Sequence, residues 1–272
     1  ARCALQSCWS EGSAGAAECA LRSCGHLAKG LSPVCIGCLT RDPMRRVGEI
    51  LDDCVDPNLS RVAESSSNQE LRFFDGSYGI GLLSSRPLAE VDRLELEAGH
   101  HPRAVLHARI TAGKQPLHVF CTHLTPILRG IPHPTGGSWQ AEQSAQVDAL
   151  LAWVDVKAGS EPALVLGDLN TGPGIGTIKP RMPEHYARFV QHGFVNPYLD
   201  DAPRCTFCYD NPVIGGKSGG LLIDHVLVRG FRGTTDVRRF LDGRIEIRAG
   251  GKRKPTALSD HYGVIAELVP SA

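Results

Sequence analysis

The chain has 272 residues, 42% hydrophobic and 21% charged, with 29 basic side chains balanced by 29 acidic ones. That is enough apolar content for one large domain or two small ones, and a formal net charge of zero removes the strongest electrostatic argument for nonspecific nucleic-acid binding without excluding a local basic patch. No apolar run approaches the roughly 20 residues that would span a bilayer, and the chain opens at Ala1 with no signal peptide, as expected of a processed or cut form of something longer.

Ten cysteines are the strongest compositional signal, and Cys3, Cys8, Cys19, Cys24, Cys35, Cys38 and Cys54 all fall near the start. Such density predicts disulfides and an oxidising location, secreted or periplasmic. Cys35-x-x-Cys38 and Cys205-x-x-Cys208 also have zinc-ligand spacing. Disulfides are the favoured reading, because the Cys3/Cys8 and Cys19/Cys24 spacings fit no common zinc pattern. Residues 1–70 are therefore expected to form a disulfide-stapled segment ahead of a main domain over 71–272. Within that segment Met44, Val47, Ile50 and Leu51 predict a helix over Pro43–Cys54.

The main domain opens with Tyr78–Ser84, predicted to be a buried strand ended by Arg86-Pro87. Leu88–Leu96 follows. Arg103–Ile110 alternates, with Ala104, Leu106, Ala108 and Ile110 on one side, and Leu117–Leu124 comes next across a Gly-Lys-Gln-Pro turn. Close spacing with short turns predicts an antiparallel meander. Thr125–Gly137 is a long loop. Ser138 is placed to cap a helix running to Lys157, with Val147, Leu150, Leu151 and Val154 on one face and Gly159 as the stop.

Ala163–Leu166 is a continuous apolar run, as in a strand covered on both faces. It ends in Gly167-Asp168-Leu169-Asn170, which puts a carboxylate and a carboxamide on one side of a strand end. A short helix, Pro183–His192, is predicted to carry Tyr186, Phe189 and Val190 inward. Cys205–Cys208 lies in a loop and has the spacing for a small local disulfide. Leu221–Val228 reads as a strand interrupted by Asp224-His225, Lys252–Pro255 as a basic turn, and Gly263–Val269 as the last strand.

Four polar signals end or interrupt apolar strands: Thr122-His123, Asp168-x-Asn170, Asp224-His225 and Ser259-Asp260-His261. A charge in an apolar strand is costly unless it is paired or ligates a metal, so their recurrence predicts one convergent site. The residue types suit phosphate-ester hydrolysis. Asp260 and Asn170 offer hard oxygen ligands for Mg²⁺ or Ca²⁺ (Mn²⁺ being the third option). Asp168 has the chemistry to orient and deprotonate water, His123 and His261 to donate to phosphoryl oxygens or the leaving group, and Asp224 to fix an imidazole tautomer. The bland readings are an Asx-turn at Asp168, an interior histidine at His123 and a structural His225.

Val119-Phe-Cys-Thr-His-Leu124, Val165-Leu-Gly-Asp-Leu-Asn170, Ile223-Asp-His-Val226 and Leu258-Ser-Asp-His261, together with Gly79–Pro87, resemble successive signatures of the endonuclease/exonuclease/phosphatase superfamily. The resemblance implies an α/β, DNase I-like four-layer sandwich, with two packed mixed β-sheets flanked by helices. It also implies a metal-dependent phosphodiesterase with Asp168 activating water, Asn170 contacting phosphate or metal, and Asp260 as a metal ligand. His261 would contact phosphate, with Asp224 orienting it and His123 as the second histidine.

Two departures stand out. No apolar strand followed by Gln-Glu occurs in the first 70 residues, where the family carries a metal-binding glutamate, and Gln143 and Gln146 stand where an Arg and a Gln are usual. The expected substrate is a phosphodiester, in nucleic acid or a phospholipid headgroup, with a nuclease placed ahead of a sphingomyelinase-like or inositol-phosphate phosphoesterase. The competing class is a binding-only or inactive member. No protein partner is predicted.

Overall fold

The computed structural model describes residues 79–99, 101–113, 115–128, 133, 136–199, 203–214, 216–249 and 252–270, together with Cys3, Ser7, Ser23, Cys24, Asp53 and Cys54. Two compact units separate: Ala1–Gly79, Glu97–Pro102 and Pro126–Glu142 form one, and Ile80–Leu96, Arg103–Thr125 and Gln143–Ala272 the other. In the first, Cys3 and Cys24 form a disulfide, and Glu142 accepts from Gly99 N and pairs with His133 Nε2. Most of the helix expected over Pro43–Cys54 lies outside the described residues, although Asp53 and Cys54 are helical.

The second unit is built on a mixed sheet of five strands, β1 (Ala89–Leu96), β2 (Arg103–Ala112), β3 (Gln115–His123), β4 (Ala163–Asp168) and β7 (Asp224–Arg229), in that spatial order. The first three form the expected antiparallel meander. β3 and β4 are parallel, and β7 returns antiparallel to β4. A parallel step needs a crossover, supplied by helix α1 (Trp139–Ala158). Ser138 Oγ accepts from Ala141 N at its start, and Gly159, at a φ of 51°, stops it.

Burial explains why these elements assemble. Val147, Leu150, Leu151 and Val154 of α1 cluster with Val105, Phe120, Val165 and Leu227 on one face of the sheet. Each such side chain contributes about 1.5–3 kcal/mol on leaving water. Helix α2 (Pro183–Gln191) adds Tyr186 and Phe189 to the same cluster. The opposite face carries Leu117, Val119, Leu164 and Val228 and is covered by Phe231 and Leu268. These come from the antiparallel pair β8 (Phe231–Phe240) and β11 (Gly263–Pro270). Two small ladders complete the unit: β5 (Phe207–Cys208) with β6 (Gly220–Leu221), and β9 (Ile245–Ala249) with β10 (Lys252–Thr256).

Several expectations need correction. Gly79–Ser84 is extended but joins no ladder among the described residues. Leu82 packs onto the sheet face while Leu83 is 97% exposed, so its apolar content covers a sheet face without pairing to a neighbour. Val190 is exposed and His185 is buried in its place, because the inward stripe of α2 is His185, Tyr186 and Phe189. The strand expected over Leu221–Val228 divides, so Asp224 begins β7 where it was expected to interrupt a strand. Lys252–Pro255 forms most of strand β10 and is not a turn, paired through Pro255 to Glu246.

Candidate active site

The site grows from the end of β4. Gly167 has a φ of 126°, and a Cβ there would collide with the Thr122 carbonyl oxygen, so only glycine lets β4 approach β3 at this level. Asp168 follows, level with His123 of β3 on one side and Asp224 of β7 on the other. Sheet register alone therefore gathers three of the anticipated residues. Asp168 Oδ1 accepts from Asn170 N at 2.9 Å, and Oδ2 lies 3.4 Å from His123 Nε2. The Asx-turn is thus present together with the cluster. Asn170, at a φ of 48°, donates through Nδ2 to Leu124 O.

The fourth member comes from the turn before β11. His261 Nδ1 donates to Asp224 Oδ2 at 2.8 Å, leaving Nε2 as the nitrogen outside that bond. The ligand atoms of Asp168, Asp224 and His261 all lie within 4.8 Å of one another. Asp260 is exposed and outside that group, its Oδ1 accepting from Ser259 Oγ at 3.2 Å. His225 is buried away from the cluster, where Nε2 donates to Thr171 O and Nδ1 accepts from Asn196 Nδ2.

Supporting groups to which sequence reasoning gave no role fix this geometry. Thr206 Oγ1 accepts from both Ile223 N and Asp224 N. Asn211, fully buried, donates through Nδ2 to the Ser259 and Asp260 carbonyls and holds the turn that presents His261. Gln143 Nε2 donates to the carbonyls of Thr125, Leu169 and Asn170. Gln146 clasps Thr125 through both its amide nitrogen and its oxygen. The two glutamines at the unusual positions are therefore scaffolding for the loop beyond Asp168. Positive charge near Asp168 comes instead from Arg103 of β2, whose Nη1 donates to His123 O. Of Thr206 and Asn211, only Asn211, in an Asp-Asn-Pro turn, carried a sequence signal, and that signal reads simply as a loop.

Electrostatics raises both titrations of the cluster. Burial pushes the Asp168 carboxyl up to about 7, Asp224 adds like-charge repulsion, and His261 opposes both. Burial alone would lower His261, but the hydrogen bond and charge of Asp224, then the charges of Asp168 and Asp260, raise it to about 9. Near neutral pH the pocket holds a carboxyl balanced between its two forms beside a protonated imidazole. Groups perturbed this strongly by burial and by specific charged partners are candidates for base and acid roles.

The donor set fits a hard divalent cation: the Asp168 and Asp224 carboxylates, which repel one another, offer oxygen ligands close to the His261 ring.

Among known proteins, the crystal structure of SmcL superposes with a TM-score of 0.53 at 16% identity, covering 68% of this chain and 67% of that one. An endonuclease/exonuclease/phosphatase family protein from Bacteroides thetaiotaomicron gives 0.51 at 18% identity, covering 68% and 66%. At such identities the likeness is one of fold. The uncharacterized protein YbhP of Escherichia coli K12 is 32% identical over 100 residues, and the match spans only 34% of its length. The family model described as "Endonuclease/Exonuclease/phosphatase family" matches residues 28–261, a span that takes in every site residue above. With its DNase I-like α/β sheet core and its cluster at the strand ends, the chain belongs to the endonuclease/exonuclease/phosphatase family.

Proposed function

We propose that this protein is a divalent-metal-dependent phosphoesterase that hydrolyses phosphodiester bonds by in-line attack of water. The observation that carries the reading is the convergence of Asp168, Asp224 and His261, with one carboxyl raised to about 7 beside an imidazole raised to about 9. Asp168 accepts the proton of the attacking water. His261, held by Asp224, donates a hydrogen bond from Nε2 to a phosphoryl oxygen, and His123 offers a second donor on the other side of Asp168. Asp168 and Asp224 would hold Mg²⁺ (or Ca²⁺ or Mn²⁺), with Asn170 and Asp260 as the further oxygen ligands read from the sequence. When bound, the cation supplies neutralisation of phosphoryl charge.

Nucleic acid is preferred over a phospholipid headgroup as substrate because His123 joins His261 at the site, as in nuclease-like members. The Cys3–Cys24 and Cys205–Cys208 disulfides support a secreted or periplasmic location. Hydrolysis of bis(p-nitrophenyl) phosphate with Mg²⁺, Ca²⁺ or Mn²⁺ tests the class, and supercoiled DNA against sphingomyelin then tests the substrate. Asp168→Asn is expected to lower the rate by about 10²–10⁴-fold, as removal of a general base does. An inert wild-type chain with all three metals and all three substrates would leave the inositol-phosphate and binding-only readings standing.

A further inference from the structure

We propose that Cys205–Cys208 is a thiol-exchange site whose opening releases the joint between Asp224 and His261. The inference rests on the phosphoesterase reading for its catalytic consequence but not for its structural one. Those two residues belong to segments far apart in the chain, and the ring closed by this disulfide is where the segments meet. Thr206, inside the ring and fully buried, uses every backbone and side-chain polar group for that purpose. Its N donates to Leu221 O, its Oγ1 accepts from Ile223 N and Asp224 N, and its carbonyl accepts from Tyr262 N at 2.8 Å. Phe207, also in the ring, stands 4.9 Å from the His261 imidazole. β6 closes against the same ring through Gly220, where a Cβ would strike Cys205 and the Phe207 carbonyl.

The disulfide is reachable from one side only. Cys205 is half-buried and lines a cavity of about 360 Å³ together with Arg204, Arg239, Asp242, Arg244 and Tyr262, whereas Cys208 is buried. A small thiolate entering that cavity attacks Cys205 Sγ and forms a mixed disulfide there, and the Cys205–Cys208 bond breaks with its electron pair leaving on Cys208. Arg239 stands ready for that charge, with Nη1 3.3 Å from Cys208 Sγ while also donating to Cys205 O. A neighbouring guanidinium stabilises a thiolate and makes it a better leaving group. A second thiolate then attacks the mixed disulfide, releasing the oxidised reductant and freeing the Cys205 thiolate. The strands keep their ladders, but the ring that holds Thr206 and Phe207 in place is no longer closed.

The full chain is treated with a small thiol under native conditions, free thiols are trapped by alkylation, and mass spectrometry locates adducts while amide exchange is followed. The thiol adduct is expected on Cys205 and the alkyl label on Cys208. Exchange at Ile223, Asp224 and Tyr262 should rise about tenfold, the scale of losing one hydrogen bond's net stabilisation. Hydrolysis should fall with it and return on reoxidation, and the C205S/C208S variant should be insensitive to thiol, excluding effects through other disulfides. Thr206→Val, with the disulfide intact, should raise exchange at Ile223 and Asp224 but spare Tyr262. Faster exchange on reduction in a chain that hydrolyses nothing would uphold the joint and refute the phosphoesterase. A disulfide that opens with exchange and rate unchanged, or that resists thiol until the chain unfolds, overturns the proposal.

Discussion

Asp168 sits where burial, the Asp224 carboxylate and the His261 imidazole act on one carboxyl group, and in the proposed reaction its protonation state decides whether water is activated. Activity should rise with pH as Asp168 ionises and fall as His261 loses its proton near 9, giving a bell-shaped profile. A bound cation adds positive charge beside Asp168, so the acid limb should move to lower pH as metal concentration rises. Asp224→Asn removes both the repulsion on Asp168 and the partner of His261, so both limbs of any residual activity should shift toward acid. A profile of kcat/KM against pH at two metal concentrations checks this, and an unmoved alkaline limb in Asp224→Asn would show that His261 does not set it.

His225 bears on stability instead. Burial lowers it to about 4, so the folded protein holds it neutral and binds fewer protons than the unfolded chain. Its contribution is fully present above its ordinary value of 6.5 and is lost as pH falls toward 4, about 3 kcal/mol over that window. Thermal melts from pH 7 to 4 should show this decline, and His225→Gln should flatten it. The catalytic candidates were legible in the sequence because charge at the end of an apolar run is costly. Thr206 and Asn211 were not, because their work is hydrogen bonding to backbone that only the fold brings near.

At the scale of elements, α1 and the β4 loop are held together by Gln143. Its Nε2 donates to three carbonyls and its Oε1 meets His185 Nδ1 at 2.7 Å, all buried. Gln143→Ala strands those four groups without partners and should cost about 4 kcal/mol or more, since each unsatisfied buried group costs about 1–3. Denaturant unfolding measures the loss, and kcat should fall with it because Asn170 loses its tether. An unchanged midpoint would mean that water replaces the amide.

The helices and the meander were readable because their apolar spacing is regular. β8 and β9 went unread: Phe231–Phe240 is rich in Arg, Thr and Asp and only partly buried on both sides, so no alternation marks it. Gly79–Ser84 erred the other way, since its apolar run covers a sheet face without joining a ladder.

For the whole molecule, the order of motifs from Val119 to His261 carried the fold, because family order along the chain survives where individual strands are ambiguous. The pairing within the cysteine-rich start was not open to the same reasoning, since spacing does not determine connectivity. The metal reading can be tested on the folded protein as a whole, independently of any substrate. A cation held by Asp168 and Asp224 binds the folded state and not the unfolded chain. At 100 times its Kd it should therefore add about 2.7 kcal/mol, or about 5–10 °C in Tm for a domain of this size.

Cation and proton compete for Asp168, whose carboxyl is raised to about 7, so the metal-induced shift should be larger at pH 8 than at pH 6. Asp168→Asn should shrink the shift and erase that pH dependence, because the asparagine cannot release a proton to the incoming ion. Equal shifts in the wild type and in Asp168→Asn would place the cation elsewhere. No shift with Mg²⁺, Ca²⁺ or Mn²⁺ would mean that the two carboxylates face each other for a reason other than metal.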